Sequence, residues 1–500
     1  MNDIRESAAM TTARDLLDLA IRAYRREPEI LETLQAHRVR LDEPLRVALV
    51  GSVKAGKSTL LNALLGEHLA PTDARECTRV VTWYRHGSTP QVVAKPVNGS
   101  PENLPVHRQH GRLELDLGDA TADSLERIDV TWPADPLAEL ILVDTPGTVS
   151  ISESISSRTQ KFLAPPDGVS EADAVIYMLR SLHLSDVEFL HDVKNHHGRA
   201  DGSAPRSIAV LSRADELGGG RLDAMVSVNA AAAKLRTDPA LDGVCEALVP
   251  VAGLLALAST TLRQSEFSAF VALEKLPRDE REALLASVDR FITAEDENLP
   301  SPRVRASLVE RFGVYGIRLA IAVLRTGIKD APTLSAELVR RSGLDELRRV
   351  IDVHFQQRHA ELKAHSAISA VYRVLQDNPR EHTQELLEDA EEFLANAHAF
   401  REMRLISHVR SVKLALAPEE LEELIRLTGG NGTSPKQRLG LDEDVDDLTA
   451  HRAAYDALWA WTERAEHPLI DRDTAAACRV VRRSCEGILD ELSQAHFATV

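Results

Sequence analysis

The sequence predicts an α/β domain with a mostly parallel β-sheet, followed by an elongated, all-α bundle of helices. Between residues 45 and about 255, short apolar runs rich in β-branched residues alternate with helical and polar segments. The run Leu45–Val50 has no apolar–polar alternation, as expected of a strand that is covered on both faces in a parallel sheet. From about residue 265 onwards, apolar residues recur at helical spacing instead.

The first predicted element is an amphipathic helical segment over residues 13–38, which is interrupted at Pro28. Leu16, Leu17 and Tyr24 mark one apolar face of this segment. A helical face of this kind must be buried against another surface. We therefore expect its partner to be a later part of the chain or another chain.

The strands of the α/β domain are predicted from short apolar runs bounded by polar or glycine-containing loops. They are Leu45–Val50, Val80–Tyr84, Gln91–Ala94, Arg112–Leu117, Glu139–Val143, Ala174–Leu179 and Ser207–Leu211. In the second half of the chain, Leu344, Leu347 and Ile351 exemplify the helical spacing of large apolar residues. The clearest break between these helices is the glycine-rich segment 428–435.

The composition narrows the functional classes. A chain of 500 residues is too long for one compact core. Its formal net charge of −18 argues against a general nucleic-acid-binding protein, so no nucleic-acid partner is expected. The sequence shows no signal peptide and no apolar run near the roughly 20 residues of a membrane-spanning helix. We therefore expect a cytoplasmic protein that is soluble or peripheral to a membrane.

A motif of the form GxxxxGKS follows the first predicted strand and precedes a helical run. Its glycines allow successive backbone N–H groups to face the phosphates of a nucleotide. Lys57 is expected to reach the β- and γ-phosphates, and Ser58 to bind Mg²⁺, so both are predicted to act in catalysis. The nucleotide-binding residues predicted here are Gly51, Ser52, Val53, Lys54, Ala55, Gly56, Lys57, Ser58 and Thr59.

A second motif, DTPG, begins at Asp144, where another predicted strand ends. Asp144 is expected to bind Mg²⁺ through a water molecule, and the backbone N–H of Gly147 to contact the γ-phosphate. A short DxxG motif has little weight by itself. It gains weight here because it lies about ninety residues after a phosphate-binding loop, at the end of a strand.

The third motif, Leu211-Ser212-Arg213-Ala214-Asp215, also follows an apolar strand and imperfectly matches the guanine-reading pattern [NT]-K-x-D. Asp215 would accept hydrogen bonds from the N1–H and the exocyclic amine of guanine, a pair of donors that adenine lacks. Arg213 is expected to cover the base or the ribose, and Ser212 replaces Asn or Thr. GTP is therefore the expected substrate and GDP the product.

Two further segments are expected near the nucleotide. A threonine between the first two motifs should bind Mg²⁺ and contact the γ-phosphate through its backbone, and Thr78 is the first choice, with Thr72 in reserve. At the end of a later apolar strand, the backbone of Val251 and Ala252 is expected to close over the base. Residues 148–170 are rich in serine and suit a loop that orders with GTP.

These segments together resemble those of the bacterial dynamin-like GTPases, in particular the actinobacterial isoniazid-inducible (Ini-type) group. The likeness rests on GSVKAGKSTLLNALLG at 51–66, LAPTDARECTR at 69–79, DTPG at 144–147, ADAVIYMLR at 172–180 and LSRAD at 211–215. It covers the nucleotide domain well, whereas over the helical half it is a likeness of layout.

The resemblance implies an α/β GTPase domain with an elongated all-α neck and trunk. Residues 1–43 would form N-terminal neck helices, residues 44–262 the dynamin-type G domain, and residues 263–500 the rest of the neck and the trunk. It also implies Mg²⁺-dependent GTP hydrolysis, self-association through the G domains and remodelling of a membrane by fission, fusion or repair. Such a protein would be cytoplasmic and peripheral on the inner face of the cell membrane, and a paralogous dynamin-like partner is compatible with this.

The chain departs from the animal dynamins, which have Gln and Ser at the positions of Val53 and Lys54. A water-orienting side chain and a monovalent-cation ligand are therefore missing. Guanylate-binding proteins are similar in placing a basic residue at this point. We hypothesise that Lys54 is catalytic and supplies the positive charge otherwise given by that cation or by an arginine finger. The alternative is a solvated loop lysine.

The segment 428–441 is the predicted tip of the trunk, where anionic membrane lipid would bind. Basic residues beside exposed leucines can hold an acidic surface, at about 1 kcal/mol per cation. The alternative is a solvated loop between two helices. The predicted lipid-binding residues are Lys436, Arg438, Leu439 and Leu441.

Two other functions remain open from the sequence. A regulatory, Era-like GTPase that binds an RNA or ribosomal partner would need a basic accessory domain, and the second half of the chain has no basic excess. A scaffold that binds nucleotide without hydrolysing it would not need Lys57, Ser58 and Asp144, which are all present.

Overall fold

The computed structural model describes most of the chain. The described residues are 7–71, 80–109, 112–115, 121–147, 159, 162–163, 170–180, 206–217, 221–235, 245–396, 398–409 and 414–498.

Eleven strands occur in the described part of the chain, all of them before residue 252. They are β1 (Leu45–Gly51), β2 (Val81–His86), β3 (Gln91–Pro96), β4 (Glu102–Leu104), β5 (Val106–Gln109), β6 (Arg112–Leu115), β7 (Leu125–Trp132), β8 (Leu140–Asp144), β9 (Ala174–Leu179), β10 (Arg206–Ser212) and β11 (Ala247–Val251).

The α-helices of the described ranges precede, separate and follow these strands. In the first half they are α1 (Ala8–Ala23), α2 (Pro28–Leu41), α3 (Lys57–Leu65), α4 (Pro136–Glu139), α5 (Ala214–Leu217), α6 (Ala224–Leu235) and α7 (Gly253–Thr260). Next come α8 (Gln264–Glu274), α9 (Arg278–Leu284), α10 (Val288–Thr293), α11 (Pro302–Leu324), α12 (Ala331–Arg341), α13 (Leu344–His354) and α14 (His359–Asp377). The last are α15 (Gln384–Asn396), α16 (His398–His408), α17 (Pro418–Leu427), α18 (Pro435–Leu439), α19 (Asp447–Ala465) and α20 (Arg472–Ala498).

Nine of the strands form one mixed sheet in the order β11-β10-β9-β1-β8-β2-β7-β3-β4. The five strands from β11 to β8 are parallel to one another. The sheet then becomes mixed, because β2 is antiparallel to β8 and parallel to β7. The central strands β1, β8 and β9 are buried along nearly their whole length, which explains their continuous apolar sequences. The predicted α/β fold with a mostly parallel sheet is confirmed.

Strand β7 was not predicted from the sequence, so the prediction of the strands was wrong at this point. The sequence of this strand, Leu125-Glu126-Arg127-Ile128-Asp129-Val130-Thr131-Trp132, alternates apolar and charged residues rather than forming an apolar run. The alternation follows from its position, where one face packs into the core and the other lies closer to solvent. The short strands β4 and β5 were also omitted.

The N-terminal helices α1 and α2 pack against α14 and α15. Their apolar faces meet in one cluster, in which Leu17, Tyr24 and Leu34 contact Ile368 and Val371. Pro28 separates the two helices at the first position of α2, where a missing backbone N–H costs no hydrogen bond. The partner of the N-terminal face therefore comes from the second half of the same chain.

The helices from α7 to α13 cover the sheet and extend its core. Phe270 of α8 and Phe312 of α11 meet edge to face, with their ring centroids 5.0 Å apart. Leu344 and Leu347 of α13 join the core cluster that contains the central strands. Helix α11 is kinked at Gly313, whose φ of 62° lies in the left-handed region that suits glycine.

The helices from α16 to α20 have a core of their own, in which Trp461, Cys478 and Cys485 are buried. Helices α19 and α20 form an antiparallel pair at its centre. In the described part of the chain, every helix is too short or too polar to cross a membrane.

Candidate functional site

The phosphate-binding loop connects the end of β1 to the start of α3. Gly51 has a φ of 154° and Gly56 a φ of 92°, so both adopt backbone conformations that disfavour larger residues. A Cβ atom on Gly51 would lie 2.5 Å from the carbonyl oxygen of Met178 in β9. The glycines of the motif are therefore required by backbone conformation and by close packing on the neighbouring strand.

Lys57 lies at the first position of α3, and its ammonium is held by the loop itself. It donates hydrogen bonds to the carbonyl oxygens of Gly51, at 3.0 Å, and Ser52, at 3.2 Å. Burial lowers the pKa of Lys57, and the negative charge of Asp144 opposes that shift. The loop thus holds a positive charge next to backbone N–H groups, as an anion-binding site requires.

Ser58 and Asp144 meet because β1 and β8 are parallel neighbours with Leu49 opposite Asp144. The Ser58 hydroxyl donates a 2.7 Å hydrogen bond to Oδ2 of Asp144. The other carboxyl oxygen, Oδ1, is buried and has no hydrogen-bond partner among the described residues. Burial raises the pKa of Asp144, whereas Lys57 and the bond from Ser58 lower it. A hydroxyl and an unsatisfied carboxyl oxygen side by side fit Mg²⁺, which prefers oxygen ligands.

The DTPG motif lies directly against the phosphate-binding loop. The Thr145 hydroxyl donates a 2.7 Å hydrogen bond to the carbonyl oxygen of Leu49, which ties the motif to β1. A Cβ atom on Gly147 would lie 2.5 Å from Cγ2 and 2.8 Å from the backbone nitrogen of Val53. Only glycine therefore fits at this position, and its backbone lies beside the middle of the loop.

Arg213, which was predicted to cover the base or the ribose, contacts the phosphate-binding loop. Its guanidinium donates a 3.1 Å hydrogen bond to the carbonyl oxygen of Lys54 and pairs with Glu216 at 2.8 Å. Arg213 and Lys54, with φ values of 52° and 61°, are the only non-glycine residues of positive φ in the described part of the chain. The arginine therefore joins the guanine motif to the phosphate-binding loop at a point where both backbones are strained.

The side chain of Ser212 connects β10 to β9. It is buried, and its hydroxyl donates a 3.0 Å hydrogen bond to the carbonyl oxygen of Leu179 in β9. This bond fixes the end of β10, and contact of Ser212 with a nucleotide stays a prediction. Asp215 lies in the short helix α5 and is half-buried. Burial raises the pKa of Asp215, and the charge of Arg213 opposes the rise.

The backbone of Val251 and Ala252 was expected to close over the base. Both side chains are buried, and the Ala252 N–H donates a 2.9 Å hydrogen bond to the carbonyl oxygen of Ser342. Gly343 packs so closely that a Cβ atom on it would lie 2.2 Å from the carbonyl oxygen of Pro250. The Ala252 N–H is therefore engaged by the turn between α12 and α13, and contact of this backbone with the base stays a prediction. The only sequence signal for that turn is a glycine between two helical runs.

The predicted switch threonine, Thr78, and the reserve choice, Thr72, lie outside the described residues. The chain leading to them is held by Asn62 of α3, which sequence reasoning missed. The Asn62 amide accepts hydrogen bonds from the backbone N–H groups of Leu69 and Ala70 and donates a 2.8 Å bond to the Ala70 carbonyl. A fully buried asparagine within an apolar helix was the available signal.

Val53 and Lys54 lie on the outer side of the loop, and both are exposed. The positive φ of Lys54 is fixed in part by the bond from Arg213 to its carbonyl oxygen. Ser52 and Thr59 are partly exposed at either end of the motif, whereas Ala55 is buried beneath it. The loop therefore presents the Lys54 side chain to the surroundings of the site.

The predicted lipid-binding tip is corrected by the structure. Residues 435–439 form helix α18, and Arg438 and Leu439 are buried. Arg438 forms an ion pair with the buried Glu402 of α16 and donates a 2.8 Å hydrogen bond to the Leu427 carbonyl oxygen. Leu441 is half-buried on the same core, and the Lys436 ammonium donates to the Glu443 carbonyl oxygen. These side chains hold helices together and are not an exposed basic and apolar surface.

The proteins that are similar to this chain agree with the geometry of its nucleotide site. A model of the dynamin family matches residues 47–213. The isoniazid-induced protein IniC of Mycobacterium tuberculosis strain H37Rv is 44% identical over 471 residues, which cover 94% of this chain and 95% of that protein. A bacterial dynamin-like protein of Nostoc punctiforme is 36% identical over 115 residues, which cover 20% of this chain and 16% of that protein.

A solved structure of an oligomerised bacterial dynamin pair, which provides a mechanism for the long-range sensing and tethering of membranes, is also similar. It has 14% sequence identity and a TM-score of 0.33, and the match covers 98% of this chain and 80% of that one. The likeness to IniC extends over almost the full length of both proteins and confirms the resemblance inferred from the motifs. The chain therefore belongs to the dynamin family and is a bacterial dynamin-like protein.

Proposed function

We propose that this dynamin-family protein binds GTP and hydrolyses it with Mg²⁺. The observation that carries the proposal is the contact between Ser58 and Asp144, at 2.7 Å, beside the buried ammonium of Lys57. A hydroxyl, a carboxylate and an ammonium at the end of a parallel sheet form the set that P-loop nucleotide hydrolases use. Their joint burial strengthens the electrostatic interactions with a polyphosphate.

Each residue has a separate task in the proposed reaction. The N–H groups of the loop and Lys57 hold the β- and γ-phosphates, and Ser58 and Asp144 orient the metal site. When bound, Mg²⁺ would neutralise charge that develops on the phosphate oxygens. Gly147 packs directly against Val53 of the loop, and its N–H would contact the terminal phosphate. Asp215 accepts hydrogen bonds from guanine, and the bond from Arg213 to Lys54 keeps the guanine motif in register with the phosphates.

We propose two additional roles around the reacting phosphate. Thr78 binds the metal and the γ-phosphate from the segment that precedes β2. The exposed Lys54 ammonium supplies positive charge to the transition state, so the protein does not depend on K⁺. The strained backbone of Lys54 supports this role, because strain of this kind is retained mostly at functional sites. Replacing Lys54 by alanine is expected to slow turnover much more than it weakens GTP binding.

We propose further that GTP brings two G domains together and that the helical half transmits the resulting motion to an anionic membrane, which the protein remodels from the cytoplasmic side. Membership of the dynamin family supports this proposal. The exposed Val53 and Lys54 next to the phosphate site offer a surface that a second G domain can cover. The partner is a second copy of the chain or a paralogous dynamin-like protein.

The test measures GTP hydrolysis by the full chain with and without vesicles of anionic lipid, together with flotation of the protein on those vesicles. We expect GTP turnover that is abolished in Ser58→Ala and unchanged in the control Ser268→Ala, which alters an exposed serine of α8. Flotation with lipid supports the membrane role. Hydrolysis without flotation would overturn the membrane role alone, and no hydrolysis in either condition would overturn the enzymatic proposal.

A further inference from the structure

A cavity of about 580 Å³ lies outside the nucleotide site, between the α/β domain and the helical half. Three elements line it: the segment 221–223 just before α6, helix α9 with the following Leu285, and the last turns of α11. Its volume is within the roughly 300–1,000 Å³ of sites that bind small molecules. The cavity has the size for a ligand of the nucleotide class but shares no residue with the nucleotide site described above.

The charge of this cavity is opposite to that of the chain. Among the residues that the structure describes, five arginines and two carboxylates, Asp223 and Glu282, line the cavity, which gives a formal charge of +3. The chain as a whole carries −18. Guanidinium groups stay protonated at any physiological pH, so this local charge is permanent. The arginines are Arg221, Arg278, Arg281, Arg318 and Arg325.

Both carboxylates are paired with arginines at the rim. Asp223 is 3.2 Å from Arg221 and Glu282 is 2.7 Å from Arg278, and these four side chains are mostly exposed. Ion pairs this exposed are weak and exchange readily for a stronger anion. The four rim charges therefore offset one another, and the remaining arginines give the interior of the cavity a positive charge.

Two inner arginines donate hydrogen bonds to backbone carbonyl oxygens. Arg281 donates to the carbonyl oxygens of Glu274 and Leu276, and Arg318 donates a 2.9 Å hydrogen bond to the Leu285 carbonyl oxygen. Carbonyl oxygens orient the guanidinium of Arg281 without neutralising its charge. The side chain of Arg325 forms no hydrogen bond or ion pair with any of the residues that the structure describes.

We propose that this cavity binds a small anion carrying two or more phosphate groups. Several guanidinium groups around one cavity favour phosphate, since the planar fork of arginine pairs with two phosphate oxygens at once. A formal charge of +3 matches a diphosphate better than a single carboxylate. Leu222, Leu285, Ile321 and Ala322 give the cavity an apolar side that can accept the non-phosphate part of the ligand.

Such a ligand would join two parts of the molecule. Arg221 precedes α6 and belongs to the segment that follows the guanine motif, whereas Arg318 and Arg325 lie beyond the kink of α11 at Gly313. One anion contacting both sides would hold the α/β domain against α11. The binding claim itself does not depend on the proposed GTPase activity.

The test is a calorimetric titration of the full chain with inorganic pyrophosphate. The double variant Arg278→Gln and Arg325→Gln removes two exposed guanidinium groups, and Arg318→Gln removes an inner one. We expect the dissociation constant to rise about tenfold or more in each of these variants. The matched control is Arg303→Gln, an exposed arginine on the same helix α11 but outside the cavity. The phosphate-binding loop is identical in all of these proteins and contributes equally to each titration.

Two further probes separate the sources of the phosphate. If ADP also binds and loses affinity in the double variant, the ligand is a soluble nucleotide-like anion. If instead the parent floats with vesicles that contain diphosphatidylglycerol, a lipid with two phosphate groups, and the double variant does not, the ligand is a lipid headgroup. The proposal is overturned when parent and cavity variants bind pyrophosphate, ADP and these vesicles equally.

Discussion

Asp173, just before β9, is the buried junction between the sheet, the N-terminal helix α2 and the later helix α14. Its carboxylate is fully buried and contacts Arg40 of α2 at 2.5 Å and Lys363 of α14 at 2.9 Å. It also accepts a 2.9 Å hydrogen bond from the backbone N–H of Arg46 at the start of β1. The substitution Asp173→Asn would keep the shape of this side chain but leave two buried cations without a counter-ion.

The expected cost follows from that burial. The Arg40 and Lys363 side chains are only 6% and 1% exposed, so solvent screens neither charge. Breaking a buried ion pair on one side costs about 3–5 kcal/mol. We expect the opening free energy of α2 and α14 to fall by about that amount, so that amide hydrogen exchange in these helices accelerates by a factor of roughly 150 to 5,000.

The assay is hydrogen exchange followed by mass spectrometry on parent and variant. The control Asp279→Asn changes an exposed carboxylate at the start of α9 and should leave exchange unaltered. Adding Lys363→Met to Asp173→Asn removes one uncompensated cation and should restore at least about 1 kcal/mol of the loss. Unchanged exchange in α2 and α14 of Asp173→Asn would refute the reasoning.

The same junction predicts a pH dependence. Burial alone would raise the pKa of Asp173, but the charges of Arg40 and Lys363 hold it well below its usual range. A carboxyl whose pKa is depressed by folding stabilises the protein above the unfolded pKa of about 4, and this contribution is lost as the pH falls through the folded pKa. The stability difference between parent and Asp173→Asn should therefore be constant from about pH 5 to pH 8 and shrink below about pH 4.

Three further substitutions test the nucleotide site. Gly147→Ala places a Cβ atom 2.5 Å from Val53, so GTP turnover should fall at least about tenfold while GDP affinity, measured by fluorescence titration, stays within about twofold. Arg213→Gln removes the bond to the Lys54 carbonyl oxygen and should weaken GTP binding by about three- to tenfold in the same titration. Equal affinity of the variant and the parent for GTP would contradict the role of Arg213 in joining the two motifs. Asn62→Leu leaves two buried backbone N–H groups unpaired and should lower the free energy of unfolding by about 2–4 kcal/mol in urea denaturation. An unchanged free energy of unfolding would contradict the role of Asn62 in holding this backbone.

The sequence predicts those parts of the site that depend on local geometry. The glycines and Lys57 of the phosphate-binding loop, and Asp144 at a strand end, follow from motif, strand and helix in succession. The structure brings Ser58 and Asp144 together because their strands are parallel neighbours. That adjacency follows from the α/β pattern, so this contact was within reach of sequence reasoning.

Contacts between residues far apart in the sequence could not be predicted from the sequence. Arg438 looks like an exposed basic residue in a glycine-rich stretch, but it is paired with Glu402 on another helix. The engagement of the Ala252 N–H by Ser342 likewise depends on how α12 and α13 pack against the sheet. Nothing in the neighbouring residues of either position encodes its partner. The burial of a polar group by a remote element can be read only from the fold.

The central claim is recognition and hydrolysis of a guanine nucleotide, and Asp215 tests it most directly. Xanthine carries an oxygen where guanine has its exocyclic amine, so Asp215→Asn should exchange the preference between the two bases. We would measure turnover of GTP, XTP and ATP by the parent protein and by Asp215→Asn. The account predicts that the parent hydrolyses GTP and not ATP, and that the variant loses GTP turnover by about a hundredfold or more while gaining XTP turnover. A parent protein that hydrolyses ATP as well as GTP, or a variant that keeps its GTP turnover, would contradict the account.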